Sequence, residues 1–599
     1  MPGLRRRRRA GRTLARWIAS LALAGAAASP PPAGAQLSAG PAPDLVLVGG
    51  RIFTADSMRP WAEALAVRGE RIVAVGTRAS VLALAGPRTR RFELDGRVVI
   101  PGFNDAHVHL GAPLPGVAFR TGDGPVPDPS LATVLDSLGV LVRRMPPGTW
   151  LRTAIDATML DDPRARRAAI DSVAPDHPVW LAANTGHGVI VNTAGLRALG
   201  IRDDAPDPAG GFNEREGAPY PGRGHGRLTG LLHEYAAWDA ARTLRSAQPD
   251  SVLAAAFRRY SDQALRTGIT SIQDMADALD PATTLRVLHL ARLPVRVRIV
   301  AMPGTAGAGR RADEWRVALR DTAWGWAARA LPPTGGRVAA TKWILDGTGI
   351  ERLALLRAPY ADRPTWAGAM NFPPDTLRAL LVEALAAGEQ PILHAIGDGA
   401  IALVLSTMEH LAPDSTWRRL RPRLEHAEWL TPDLRDRARR LGVVVVENPT
   451  HFTDGPGLMH ARFGEARARD YQPFRSLREA RIPLAIGSDG PMDPFLNLHF
   501  AVTHPDNPGE ALSIEEAVLA YTRTSAFAEH AEGEKGTLAP GMLADLAVLS
   551  RDIFRVPVDS LPGTESVLTL VGGRVEYDAG LLAERASTGG RVERASRRR

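Results

Sequence analysis

The sequence predicts an α/β fold, a (β/α)8 barrel joined to a small β-sandwich that takes strands from both ends of the chain. Three observations predict it. Through the middle of the chain, short apolar runs alternate with amphipathic helical stretches such as Ser251 to Arg266 and Pro374 to Ala387, the pattern of βαβ units around a parallel sheet. Eight such runs can be counted, the number that closes a barrel. The alternating, turn-punctuated texture of residues 45–76 returns at residues 545–575, so the two ends can pair while the rest of the chain is inserted between them.

Taken in order, residues 1–35 read as an export signal. Arg5 to Arg9, Arg12 and Arg16 form a positive region, Ile18 to Ala28 an apolar stretch, and Ala33-Gly34-Ala35 a small-residue cleavage site. Eleven apolar residues fall short of the roughly 20 that cross a bilayer as a helix, so no stable membrane anchor is expected. The mature protein is expected to be periplasmic or secreted. Residues 36–100 supply the first part of the sandwich, 101–530 the barrel, 531–580 the rest of the sandwich, and 581–599 a basic tail. The eight expected barrel strands are Val98 to Pro101, Ile269 to Asp274, Val295 to Val300, Ala339 to Leu345, Gln390 to His394, Arg423 to His426, Val443 to Glu447 and Leu484 to Gly487. The gap after the first is far too long for a βα loop. Residues 111–245 therefore read as an inserted subdomain over the barrel mouth, where it would form substrate walls. Within it, the glycines between Gly210 and Gly230 lack the strand, turn, helix and lysine of a phosphate loop and read as a flexible flap.

Composition closes off several function classes. The chain of 599 residues has no cysteine, which excludes a disulfide framework, a zinc finger and a thiol nucleophile. Its formal charge of +8 comes from the ends, where residues 1–35 hold seven arginines and no acid. The body is left near neutral or slightly acidic, which gives no basis for binding a nucleic-acid backbone. A small-molecule substrate is the expected partner, and a homodimer the expected assembly on the general prevalence of twofold oligomers.

The residues with chemistry lie at expected strand ends. His107 and His109 are two apart on an extended segment, so both imidazoles face one side. His394 and His426 end later strands and Asp489 follows the last. Four histidines and an aspartate converging on a barrel axis suit a borderline divalent metal such as zinc. Lysine usage adds an independent signal: Lys342 and Lys535 are the only two lysines, and Lys342 sits inside the fourth expected strand. Unlike arginine, a desolvated lysine can become a neutral amine and accept carbon dioxide as a carbamate. The structural alternative is a lysine paired with a carboxylate such as Asp346.

These stretches resemble the amidohydrolase superfamily, in its YtcJ-like branch, which includes N-substituted formamide deformylases. The resemblance rests on Pro101 to Leu110, Lys342 to Gly347, His394-Ala395-Ile396-Gly397-Asp398, Arg423-Leu424-Glu425-His426, Gly487-Ser488-Asp489 and Gly536 to Leu546, spanning about residues 44–575. It implies a distorted TIM (β/α)8 barrel with a two-ended β-sandwich. It also implies a metal centre of His107, His109, His394, His426 and Asp489 holding one or two ions, with Lys342 where relatives carry a carboxylated bridge. Asp489 would also be the general base. The chain departs from the family at Asn448-Pro449-Thr450-His451, usually Gln-Pro-x-His, at Gly490, often a tryptophan, and along Thr185 to Asn192.

The expected reaction is hydrolysis of a non-peptide C–N bond, amide or formamide-like, by metal-activated hydroxide, with Asp489 moving the proton. His451 is expected to stabilise an oxyanion or hold the substrate, and His187 and Asn192 to contact it. Two alternatives stand beside this: a hydrolase of cyclic amides, carbamates or esters, and an exported binding protein that keeps the barrel without turnover.

Overall fold

The computed structural model describes residues 41–121, 129–217, 226–303, 315, 340–454 and 456–581. The expected export signal, the basic tail beyond residue 581 and residues 218–225 of the expected flap lie outside them. No helix among the described residues is long and apolar enough to cross a membrane.

Eight parallel strands follow one another around the barrel: β1 (Phe103–Val108), β2 (Ile269–Ala276), β3 (Arg296–Ala301), β4 (Ala340–Ile344), β5 (Gln390–Ala395), β6 (Arg423–His426), β7 (Val444–Glu447) and β8 (Leu484–Ile486). Apart from Arg296 every residue in them is buried, as expected of a parallel sheet covered on both faces. Helices such as Pro374–Ala387 and Pro432–Leu441 supply the outer cover; each begins with proline, whose missing N–H costs nothing there. The last strand meets the first at the site: the Asp489 N–H donates to the His107 carbonyl at 2.8 Å. Gly487 permits this approach, since a Cβ there would lie 2.5 Å from the His107 backbone nitrogen.

The first barrel strand differs from expectation. Val98–Pro101 belongs to the terminal sheet, pairing antiparallel with Leu546–Leu549 and parallel with Leu45–Phe53, and β1 starts only at Phe103. The two strands are nearly continuous in sequence, and one residue separates them. At Gly102 the chain passes so close to Thr270 of β2 that a Cβ would stand 2.2 Å from its Cγ2. The apolar run Val98-Val99-Ile100 gave no hint that it belongs to the other sheet.

Strands from both ends form one eight-stranded sheet, in the order Arg574–Asp578, Ser566–Val571, Leu546–Leu549, Val98–Pro101, Leu45–Phe53, Trp61–Arg68 and Arg71–Gly76, with Arg90–Glu93 also on Leu45–Phe53. One of its cores contains Leu47, Leu65, Val99, Leu546 and Leu568. After β1 the chain builds a second, six-stranded sheet from residues 117–234 before helices Tyr235–Ser246 and Asp250–Arg266 return it to β2.

Candidate metal centre

Parallel strands deliver their C-terminal ends to one face of the barrel, and the site is built there. His107 is the penultimate residue of β1, with His109 just past its end; Lys342 lies inside β4, His394 near the end of β5 and His426 at the end of β6. Asp489 follows β8, and its carboxylate is the hub. Oδ1 lies 3.3 Å from His109 Nε2 and 3.6 Å from His107 Nε2, while Oδ2 lies 3.5 Å from His451 Nε2 and 3.8 Å from His426 Nε2. The His394 ring stands 4.5 Å from that of His426 and 5.2 Å from that of His187.

Second partners orient most of these rings. His107 Nδ1 lies 2.6 Å from Glu425 Oε2, His109 Nδ1 2.7 Å from Asp277 Oδ1, His451 Nδ1 3.2 Å from Glu428 Oε1, and His187 Nδ1 3.0 Å from Glu234 Oε1. A carboxylate on Nδ1 fixes the tautomer and leaves Nε2 facing the centre. His394 Nε2 and His426 Nδ1, by contrast, are buried without a hydrogen-bond partner among the described residues. Unpaired buried imidazole nitrogens beside an ionised carboxylate fit a cation, and ligand atoms of His107, His426 and Asp489 come within 4.8 Å of one another, as do those of His426, Glu428 and His451.

The electrostatics follow from burial and pairing. Burial lowers His107 to about 4, with the Lys342 ammonium adding to it. Burial and neighbouring imidazoles hold His394 well below the ordinary histidine value, and burial likewise lowers His426. Neutral imidazoles are what a metal ion requires. For His109 burial is outweighed by the Asp277 carboxylate, which raises it to about 9. Asp489 resists burial because His107, His109 and His451 surround it, and its carboxyl stays well below the usual carboxylate range. Burial likewise opposes His451, which hydrogen bonds to Asp489 and Glu428 nevertheless keep protonated.

Lys342 is 1% exposed, and its Nζ lies 2.9 Å from His107 Nε2. Burial lowers its pKa, as carbamate formation requires. The alternative pairing with Asp346 is not formed, because that carboxylate accepts the backbone N–H groups of Leu355, Ile396 and Gly397.

A cavity of about 760 Å³ opens over the centre. His187, Asn184 and Thr185 of the insertion form one wall, and Thr348, Ile350, Thr450, His451, Met459, Tyr471 and Leu496 line the rest. Of the residues expected to serve the site, only Asn192 is elsewhere. It caps helix Thr193–Ala198, accepting N–H groups of Val179 and Gly195 at 2.9 and 3.0 Å and donating to the carbonyls of Ala174 and His177. Both ends of its amide are committed, so it is a structural pin of the insertion and no substrate ligand. Asp277 and Glu428 were missed by the sequence reading. Asp277 directly follows β2 and so obeys the strand-end rule, and Glu428 is two residues beyond His426.

Comparison with known proteins places the chain in a family. Residues 92–577 match the model of the Amidohydrolase family. The chain is similar to the Protein LONG AFTER FAR-RED 3 of Arabidopsis thaliana, 29% identical over 90% of this chain and 92% of the relative. It is also similar to the YtcJ protein of Bacillus subtilis (strain 168), at 28% over 82% of this chain and 91% of the relative. The N-substituted formamide deformylase of Arthrobacter pascens is 28% identical over 89% of this chain and 98% of the relative. Among solved structures, an uncharacterized metal-dependent hydrolase from Pyrococcus horikoshii OT3 shares the fold, with a TM-score of 0.64, 22% identity and coverage of 86% of this chain and 99% of that one. On the match across most of its length, the chain belongs to the amidohydrolase family, in the YtcJ-like branch.

Proposed function

We propose that this protein is an exported hydrolase of a non-peptide C–N bond in a small amide or formamide, working with a divalent metal, most simply zinc. The reading is carried by one observation: four imidazoles around the ionised Asp489 carboxylate, at the floor of a cavity wide enough for a small organic molecule. His107, His109, His394, His426 and Asp489 would hold the metal, one ion or two, and Lys342, if carboxylated, would add its carbamate oxygens as ligands. A bound divalent ion supplies a water acidified towards neutral pH and polarises a carbonyl oxygen.

The chain's own groups account for the proton movements. Asp489, held ionised, accepts a proton from the attacking water and passes it to the departing nitrogen. The protonated His451 lines the cavity and presents Nε2 beside Asp489, where it can donate to the oxyanion of a tetrahedral intermediate. His187, steadied by Glu234, forms the opposite wall and contacts the acyl or amine part.

Asp489→Asn tests the assignment. It should lower turnover of a good formamide or N-acyl amine about 1,000-fold, the middle of the 100- to 10,000-fold range of general-base catalysis, while folding is retained. Near-normal hydrolysis by this variant would refute Asp489 as base.

A further inference from the structure

The insertion supplies one wall of the cavity and the barrel the other, so something must fix the gap between them. The turn after β4 carries the candidate. Arg352 Nη1 binds both oxygens of Asp161, at 2.9 and 2.8 Å, and its Nε and Nη2 reach Asp362 at 3.1 and 2.9 Å. Arg462 closes the ring, with Nη2 to Asp161 and Nη1 to Asp362 at 2.8 and 2.7 Å. Both arginines are buried, and the two carboxylates are about a quarter exposed.

The four residues come from three segments that also line the cavity. Asp161 ends the short helix after insertion strand Leu151–Ile155; Arg352 follows Thr348 and Ile350; Arg462 lies in helix Pro456–Phe463 with Met459. Arg462 Nε donates to the Ile350 carbonyl at 3.1 Å, tying the ring directly to a wall residue. Next to Arg352, Glu351 accepts the hydroxyl of Thr185, on the loop that presents His187. Arg352 also holds φ +59, a left-handed conformation that a bulky side chain adopts only when its surroundings demand it.

We propose that Arg352, Arg462, Asp161 and Asp362 form a clamp that docks the insertion on the barrel and sets the width of the substrate cavity. The arginines act as positioning residues: they touch neither the metal ligands nor the reacting atoms. The clamp stands on the geometry alone, and only its kinetic consequence rests on the proposed function.

The test uses the full chain with Asp161→Asn and Arg352→Met, the first keeping Asp362 in place in case the second fails to fold. Hydrogen exchange should rise in residues 151–161, 179–191 and 348–353 of both folded variants and stay unchanged in β5 and β6. Metal content should remain that of the parent. Michaelis constants should rise about tenfold for a bulky N-acyl aromatic amine and much less for N-methylformamide, with kcat nearly constant. Unchanged exchange at those segments, or a rise spread evenly over the barrel, overturns the clamp. Equal KM changes for large and small substrates, or a loss of kcat together with metal, overturn its role in cavity width. If the parent hydrolyses none of these compounds, the functional reading fails, and exchange still decides the clamp.

Discussion

Glu425 is the place where removing one charge should do most damage. Its side chain is 0% exposed, as is that of Arg423, and the two are joined by bonds of 2.8 Å from Nε to Oε1 and 2.8 Å from Nη2 to Oε2. Oε2 also lies 2.6 Å from His107 Nδ1. In Glu425→Gln one oxygen becomes an NH2 group that faces donors, either the guanidinium or the imidazole, and the Arg423 charge is left buried. Breaking a buried pair from one side costs about 3–5 kcal/mol. Because the glutamine keeps one acceptor and Arg423 keeps its bond to the Ala106 carbonyl, the loss should lie near the lower end, about 3 kcal/mol. Guanidinium unfolding of chelator-treated protein, followed by tryptophan fluorescence, reads it as a lowered midpoint. Metal affinity should fall a further 10–100-fold as His107 loses its orienting partner. The companion variant Arg423→Met/Glu425→Gln separates a stranded charge from lost packing: with both ions gone, most of the stability should return. A midpoint for Glu425→Gln within about 1 kcal/mol of the parent, or a double variant no better than the single one, would refute this account.

Gly102→Ala should destabilise by about 1–3 kcal/mol, because its Cβ would stand 2.2 Å from Thr270 Cγ2 at the crossing between the two sheets; an unchanged thermal midpoint would show that the crossing yields easily. Glu351 is pushed up to about 7, first by burial, against 4.5 for an ordinary glutamate. Its folded form therefore binds a proton that the unfolded chain has released, and wild-type stability should fall as pH rises from about 4.5 to 7. Glu351→Gln removes that slope and should exceed the parent by up to about 3 kcal/mol at pH 8.5, with no gain at pH 4.5; parallel stability curves for the two proteins would be the contrary result. Chelation of metal-loaded protein should lower the thermal midpoint, and restoring zinc should recover it, a 1,000-fold excess over Kd being worth about 4 kcal/mol. A midpoint indifferent to chelator and zinc would count against the metal centre.

How much of this was legible in the sequence depended on the range of the interaction. Barrel strands carry short apolar runs bounded by turns, and seven of the eight were visible as such runs. What failed was the first: Val98-Val99-Ile100-Pro101 read as the opening barrel strand, whereas it belongs to the terminal sheet and the barrel begins at Phe103, past the close approach of Gly102 to Thr270, far away in sequence. His107, His109, His394, His426 and Asp489 were legible because the strand-end rule turns sequence position into direction. Asn192 was misread because it resembles a family motif, whereas its amide is consumed by four backbone groups of the insertion. The ring of Asp161, Arg352, Asp362 and Arg462 was invisible, since ion pairs between segments as much as 301 residues apart leave no local pattern.

The histidines reach their orientations by two different physical means. His107, His109, His451 and His187 each place Nδ1 against a carboxylate, from β6, the end of β2, the loop after β6 and the insertion respectively. His394 and His426 have no such support, and His426 adopts φ +70 with Ala427 beside it at φ +51. Left-handed backbone at two successive non-glycine residues costs on the order of 1–2 kcal/mol each and persists only where packing enforces it. The carboxylate-held rings are fixed by charge, so pH and neighbouring ion pairs can tune them; the other two are fixed by backbone and by ring contacts of 4.5 and 5.1 Å. Changes to Asp277, Glu425 or Glu428 should therefore grade activity, whereas changes that relax the turn after β6 should move a ring outright.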